Sequence, residues 1–155
     1  MTHEEFCVAA YKAAQAARRA GAPIHPGIAA AQAALETGYG KSKLCAEGNN
    51  LFGIKATKDW KGRRVDCQTR EFDPVRGWYL TQAEFRAYDS WKACFQDYGE
   101  LIGRLPWYRD AVRAKDDPRG FLEGLAAQPG KEPGWATDPA YVAKVWAVAR
   151  KFGLV

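Results

Sequence analysis

The chain has 155 residues, 47% of them hydrophobic and 26% charged, with a formal net charge of +5. That is one globular domain's worth of chain with material for a real core, and six Trp, seven Tyr and seven Phe exclude a disordered polymer. No apolar run approaches the roughly 20 residues of a bilayer span, and although the positive balance suits an anionic partner, basic residues interspersed with acids argue against a nucleic-acid footprint.

The cysteines are Cys7, Cys45, Cys67 and Cys94, and the histidines are His3 and His25. None of the cysteines forms a CxxC pair, so a zinc site is not expected, and reduced, partly buried thiols are the default. The N-terminus, Met1-Thr2-His3-Glu4-Glu5-Phe6, lacks a basic segment followed by an apolar one. No secretory signal is therefore expected.

In chain order, the Ala-rich run Ala9 to Ala20 predicts a helix, ended by Gly21-Ala22-Pro23. A second helix is expected from about Pro26, with Ile28, Ala31 and Leu35 facing the core and Gly38 and Gly40 terminating it. Gly48-Asn49-Asn50 reads as a turn before the apolar Leu51-Phe52-Gly53-Ile54. Alternation from Val65 to Phe72 suggests a strand, Asp73 to Gly77 a loop, and Trp78 to Tyr88 a return strand. Residues 50–88 are thus expected to form a small β-lobe. Asp89 or Ser90 caps the next helix, with the stripe Trp91, Phe95, Tyr98 and Ile102. Shorter helices fit Trp107–Ala114 and Pro118–Ala127, followed by a loop from Gln128 to Thr137. A last helix from Asp138-Pro139 presents Val142, Val145, Trp146 and Ala149, and Gly153 stops it. Helices, a hairpin and more helices make an α+β domain spanning residues 1–155.

Two carboxylates and a set of aromatics are the chemical candidates. Glu36 lies at the C-terminal end of a predicted helix, within Ala34-Leu35-Glu36-Thr37-Gly38-Tyr39-Gly40. The negative end of the helix dipole and apolar neighbours favour the protonated acid there, which is what a glycosidic leaving oxygen requires. Locally the same residue also reads as a surface Glu before a glycine stop. Glu71 sits at a strand end on the face of Val65, Cys67 and Thr69, either as a solvated charge or as a base activating water. Tyr39, Trp60, Trp78, Trp107 and Trp135 fall in turns or near element ends. There they offer flat faces to sugar rings or complete the core.

The order of segments resembles the glucosaminidase domains of glycoside hydrolase family 73, which includes flagellar and autolysin-type peptidoglycan hydrolases. The resemblance covers residues 22–153. It rests on Ala31-Gln32-Ala33-Ala34-Leu35-Glu36-Thr37-Gly38-Tyr39-Gly40, Asn50-Leu51-Phe52-Gly53-Ile54-Lys55-Ala56, Trp60-Lys61-Gly62, Thr69-Arg70-Glu71-Phe72, Phe85-Arg86-Ala87-Tyr88-Asp89-Ser90 and Ala136-Thr137-Asp138-Pro139-Ala140-Tyr141. It implies a lysozyme-like fold with a substrate groove between a mainly helical lobe and a small β-hairpin lobe. Glu36 matches the family's catalytic Glu, with Thr37 and Tyr39 standing where the family has Ser and Trp. Glu71 matches its second carboxylate, with Phe72 in place of Tyr. Tyr39, Asn50, Phe52, Asp89, Trp135 and Tyr141 are the implied substrate contacts. Trp135 departs from the family, which usually has Tyr before Ala-Thr-Asp-Pro; indole offers no phenolic hydroxyl, so either Tyr141 supplies one or the site relies less on this group.

The implied activity is an endo-β-N-acetylglucosaminidase that cuts peptidoglycan between N-acetylglucosamine and N-acetylmuramic acid. Glu36 would protonate the leaving oxygen, and water oriented by Glu71 or the substrate's own acetamide would attack. Carboxyls about 6.5–9.5 Å apart go with inversion and about 5–5.5 Å with retention. A muramidase or lytic transglycosylase on the same fold, or a non-catalytic wall-binding module, is the alternative. No metal or organic cofactor is required. The expected partner is the glycan strand, met by a monomer, without nucleic acid or stable membrane insertion. With no leader in view, a phage endolysin held in the host cytoplasm until release fits the chain.

Overall fold

The computed structural model describes residues 1–126, 135–136 and 138–155. Its first helix, α1 (His3–Arg19), starts well before the alanine run because Thr2 and Glu5 cap each other. The Glu5 amide donates to the Thr2 hydroxyl at 3.1 Å and the Thr2 amide to the Glu5 carboxylate at 2.6 Å. This is the reciprocal box that satisfies two orphan donors.

Helix α2 (Pro26–Thr37) is the axis of the molecule. The His25 ring accepts the Ile28 amide at 3.3 Å, and Pro26 supplies the first helical position. Gly27, Ile28, Ala29, Ala30, Ala31, Gln32, Ala33, Ala34 and Thr37 are all buried, so the helix is enclosed on all sides until its last turn, as an apolar helix without a polar face must be. α1 packs on it, as do α6 (Pro118–Leu125) and α7 (Tyr141–Lys151). The single core stripe expected from sequence is corrected in two respects. Leu35 is only half-buried, and alanines on the remaining faces let neighbouring helices approach.

The chain leaves α2 through Gly38, Tyr39 and Gly40, all at positive φ (58°, 58° and 87°). A short helix not foreseen in the sequence follows, α3 (Lys43–Gly48), capped by the Ser42 hydroxyl on the Cys45 amide at 3.2 Å. Strands β1 (Arg64–Asp73) and β2 (Gly77–Arg86) form an antiparallel hairpin with Asp73 opposite Gly77 and Arg64 opposite Arg86. Its turn is held by the Asp73 carboxylate, which accepts the Val75 and Arg76 amides at 2.8 and 2.9 Å. Within the expected 50–88 lobe, the strands occupy 64–86. Residues 54–56 instead run beside β2, with the Ala56 amide on Glu84 and the Arg86 amide on Ile54.

The hairpin root is pinned to α4 (Trp91–Arg104). Arg86 and the Tyr88 hydroxyl both donate to Asp97 Oδ2, at 2.9 and 2.5 Å, and Arg86 lies 4.7 Å over the Trp60 ring. The cap of α4 is Ser90, whose hydroxyl accepts the Ala93 amide at 3.1 Å; Asp89 does not cap it. Beyond a 3-10 turn at Pro106–Tyr108 come α5 (Arg109–Arg113) and α6. The expected loop from Gln128 to Thr137 lies largely outside the described residues. Helix α7 begins at Tyr141, later than expected, after a turn in which the Asp138 carboxylate accepts the Ala140 amide at 2.8 Å and Lys144 at 2.6 Å and its carbonyl accepts the Tyr141 amide at 3.0 Å. The architecture is α+β and mainly helical. All four cysteines are free and buried, where partial exposure was expected. No helix among the described residues is long and apolar enough to cross a membrane.

Candidate active site

The last turn of α2 delivers Glu36 to an open groove of about 350 Å³. Its walls include Thr37, Ser42 and Leu44 on one side, Asn50, Phe52, Gly53 and Lys55 from the following loop, and Gln68, Thr69 and Phe85 from the hairpin. Glu36 is open to solvent through the groove mouth, yet the walls crowd it enough that desolvation raises its pKa above the usual carboxylate range. The combination is chemically useful, since the carboxyl is reachable by a ligand and disposed to hold its proton.

Thr37 shapes the turn that presents this carboxyl. Its hydroxyl donates to the Ala33 carbonyl at 2.7 Å and accepts the Gly40 amide at 2.8 Å, while its carbonyl accepts from Lys41 and Ser42. The side chain therefore has a structural reason to be a short hydroxyl.

Behind Glu36 lies a buried polar chain that joins Tyr141, expected as a substrate contact, to Gln32 and Tyr98, for which no polar role is expected from sequence. The Tyr98 hydroxyl donates to Gln32 Oε1 at 2.6 Å, and Gln32 Nε2 donates to the Tyr141 hydroxyl at 2.7 Å. Both phenols have raised pKa values, chiefly from desolvation, and both also feel the charge of Glu36. Tyr141 stays protonated, and because its oxygen accepts from Gln32, its own hydrogen remains for another acceptor. The available signal was Gln32 itself, a lone amide inside the otherwise apolar face of α2.

Glu71 stands on the half-buried face of β1, as expected, with its carboxylate on Lys55 Nζ at 2.5 Å. Lys55 also lines the groove, so the pair joins hairpin and loop at the groove wall. The local sequence around Lys55 carries no signal for this role, because its partner lies 16 residues away.

The implied substrate contacts divide. Asn50 lines the groove, but its amide is committed to the loop: it donates to Ile54 and Arg86 carbonyls at 3.0 and 2.8 Å and accepts the Phe52 and Ile54 amides. Phe52 lines the groove and stacks on Tyr98 at 4.1 Å. The half-buried Trp135 meets the rings of Phe52 and Tyr98 edge-on at 5.8 and 4.9 Å. Tyr39 turns toward the α1 and α7 ends, stacked on His3 at 3.8 Å and edge-on to Phe152. Asp89 is highly exposed, pairs with Arg63 at 3.4 Å and borders a second cleft with Trp60 and Tyr88. Trp78 and Trp107 are exposed, on the hairpin and beside Tyr108.

The profile of the glucosaminidase family, described as mannosyl-glycoprotein endo-beta-N-acetylglucosaminidase, matches residues 10–154. The peptidoglycan hydrolase FlgJ of Vibrio parahaemolyticus is 37% identical over 134 residues, covering 83% of this chain and 41% of the relative. The exo-glucosaminidase LytG of Bacillus subtilis is 33% identical over 132 residues, covering 84% and 45%. The chain thus spans less than half the length of these relatives. Among solved structures, the catalytic domain of the autolysin Auto from Listeria monocytogenes superposes with a TM-score of 0.84 at 27% identity, covering 99% of this chain and 86% of the other.

Proposed function

Because the chain belongs to the glucosaminidase family, glycoside hydrolase family 73, we propose that it is a peptidoglycan hydrolase acting as an endo-β-N-acetylglucosaminidase. It would cleave the β-1,4 bond between N-acetylglucosamine and N-acetylmuramic acid. The observation that carries this reading is Glu36, a groove-facing carboxyl at the end of a buried helix whose pKa is raised by desolvation. Such a group keeps its proton to higher pH than an ordinary carboxylate and can deliver it to the departing glycosidic oxygen.

Glu71 is the second carboxylate in this proposal. Held at the groove wall by Lys55, it orients a water toward the anomeric carbon as the bond to the leaving oxygen breaks. As water adds, its proton passes to Glu71, and the proton of Glu36 goes to the leaving hydroxyl. Tyr141 feels the Glu36 charge, and its phenolic hydrogen, which the bond from Gln32 leaves unused, would donate to the substrate acetamide or to the Glu36 carboxylate left after transfer. Phe52 and Trp135 supply apolar surface for sugar rings, and Asn50 keeps the loop that carries Phe52 and Lys55 in shape. Both carboxylates come from one chain, so a single copy suffices.

The deciding experiment is mass spectrometry of products from purified peptidoglycan. Fragments with N-acetylglucosamine at the reducing end support the proposal. Reducing-end muramic acid would make the enzyme a muramidase, and anhydromuramic acid a lytic transglycosylase.

A further inference from the structure

The outward face of the hairpin carries an unusual order of side chains. Phe72, Val75, Trp78 and Leu80 are 59%, 95%, 60% and 64% exposed, and all stand at its distal end. From tip to root, the cross-strand pairs on this face are Phe72 with Trp78, Arg70 with Leu80, Gln68 with Gln82 and Asp66 with Glu84. The sequence of chemistry is therefore aromatic, then cationic and aliphatic, then amide, then acidic. The Phe72 and Trp78 rings lie 5.2 Å apart, and the Arg70 guanidinium sits 4.8 Å over Trp78. Arg76, in the turn, lies 4.1 Å over Tyr79, on the other face of the hairpin tip. Of the acids near the tip, Glu71 is paired with Lys55 on the opposite face, and Asp73 keeps its charge on the turn amides, set against Arg70 and Arg76.

We propose that this tip is a membrane-interface contact that seats on an anionic phospholipid bilayer. Trp78, Phe72, Val75 and Leu80 enter the boundary between headgroups and acyl chains, and Arg70 and Arg76 meet lipid phosphates. Three observations favour this occupant. Trp beside Arg at the end of an apolar patch is the side-chain chemistry of a membrane interface, and the Arg fork matches phosphate. The acids Asp66 and Glu84 stand six positions up the strand, roughly 20 Å at about 3.3 Å per residue. That is beyond the ~8–10 Å over which a charged surface acts in ordinary salt. The net charge of +5 adds attraction at longer range. A glycan would find no hydrogen-bonding partner in Leu80 or Val75, and a second copy would bring Arg70 and Arg76 against their own likes.

The test is co-sedimentation with vesicles of phosphatidylcholine alone or mixed with phosphatidylglycerol, run beside binding to purified peptidoglycan. The parent protein should partition onto the anionic vesicles at least tenfold more strongly. The triple variant Phe72→Ser, Trp78→Ser, Leu80→Ser keeps every charge and should lose at least tenfold of that partition. Arg70→Gln with Arg76→Gln, which keeps the apolar residues, should lose it too and guards against a misfolded triple variant; circular-dichroism melting checks both folds. A triple variant that binds vesicles like the parent would overturn the proposal, because charge alone would then explain binding. So would a parent that ignores vesicles but uses these residues to bind peptidoglycan or to dimerise.

Discussion

Replacing Tyr141 by Phe should test the buried polar chain behind Glu36. The change removes one oxygen and leaves the ring, so no sizeable cavity forms. It strands the Gln32 Nε2 group, which donates to that oxygen at 2.7 Å and is wholly buried. A buried donor left without a partner costs about 1–3 kcal/mol. For a chain of this size each kcal/mol lowers Tm by roughly 2–4 °C, so Tyr141→Phe should melt about 2–12 °C below the parent. Tyr98→Phe strands Gln32 Oε1 in the same way. The distinctive prediction concerns the combination of Tyr98→Phe, Tyr141→Phe and Gln32→Leu. Removing all partners together leaves nothing unsatisfied, so it should melt above either single Phe variant and near the parent. The assay is thermal unfolding by circular dichroism at pH 7. Single variants within about 0.5 kcal/mol of the parent, or a triple variant with the simple sum of losses, would refute the reasoning. Activity gives a separate readout, because every variant lacking the Tyr141 hydroxyl should be slow even where stability is recovered.

Glu36→Gln should abolish nearly all wall lysis, by at least about 10²-fold, the lower end of what general acids contribute; turbidity of purified walls measures it. Because the folded pKa of Glu36 is raised, its acid form stabilises the fold below the unfolded value of about 4.3, and that contribution is lost as pH rises through the folded value. Glu36→Gln should therefore melt higher than the parent at pH 7, with the gap closing below about pH 4. Glu71→Gln should slow turnover but leave Tm almost unchanged, since its pair with Lys55 is solvent-accessible and worth at most about 1 kcal/mol; azide rescue of Glu71→Ala would mark Glu71 as the base, and full activity without azide would remove it from the mechanism. Gly124→Ala should destabilise by about 1–3 kcal/mol, because its Cβ would lie 2.4 Å from the Ala111 backbone nitrogen; chemical denaturation that shows no loss would mean that α5 and α6 can move apart.

The sequence by itself determined the local elements and singled out the candidate chemistry. Pro26 and Gly38 bracket α2, alternation across Asp73–Gly77 marks the hairpin, and Glu36 at a helix end is legible because capping, periodicity and the helix dipole act within a few residues. Where local cues were subtler, the reading was incomplete. Thr2 with Glu5 extends α1, Ser42 opens α3, and Ser90 rather than Asp89 caps α4. Only the tertiary structure decided what distant residues do to one another. Gln32 meets Tyr98 and Tyr141, and Lys55 meets Glu71, across long separations in the chain. Tyr39 faces His3 and Phe152, and Trp78 stands in solvent. A side chain's type is local, but its burial and its hydrogen-bond partners depend on which helices the alanines of α2 allow to approach, and on the hairpin that Asp97 pins to α4.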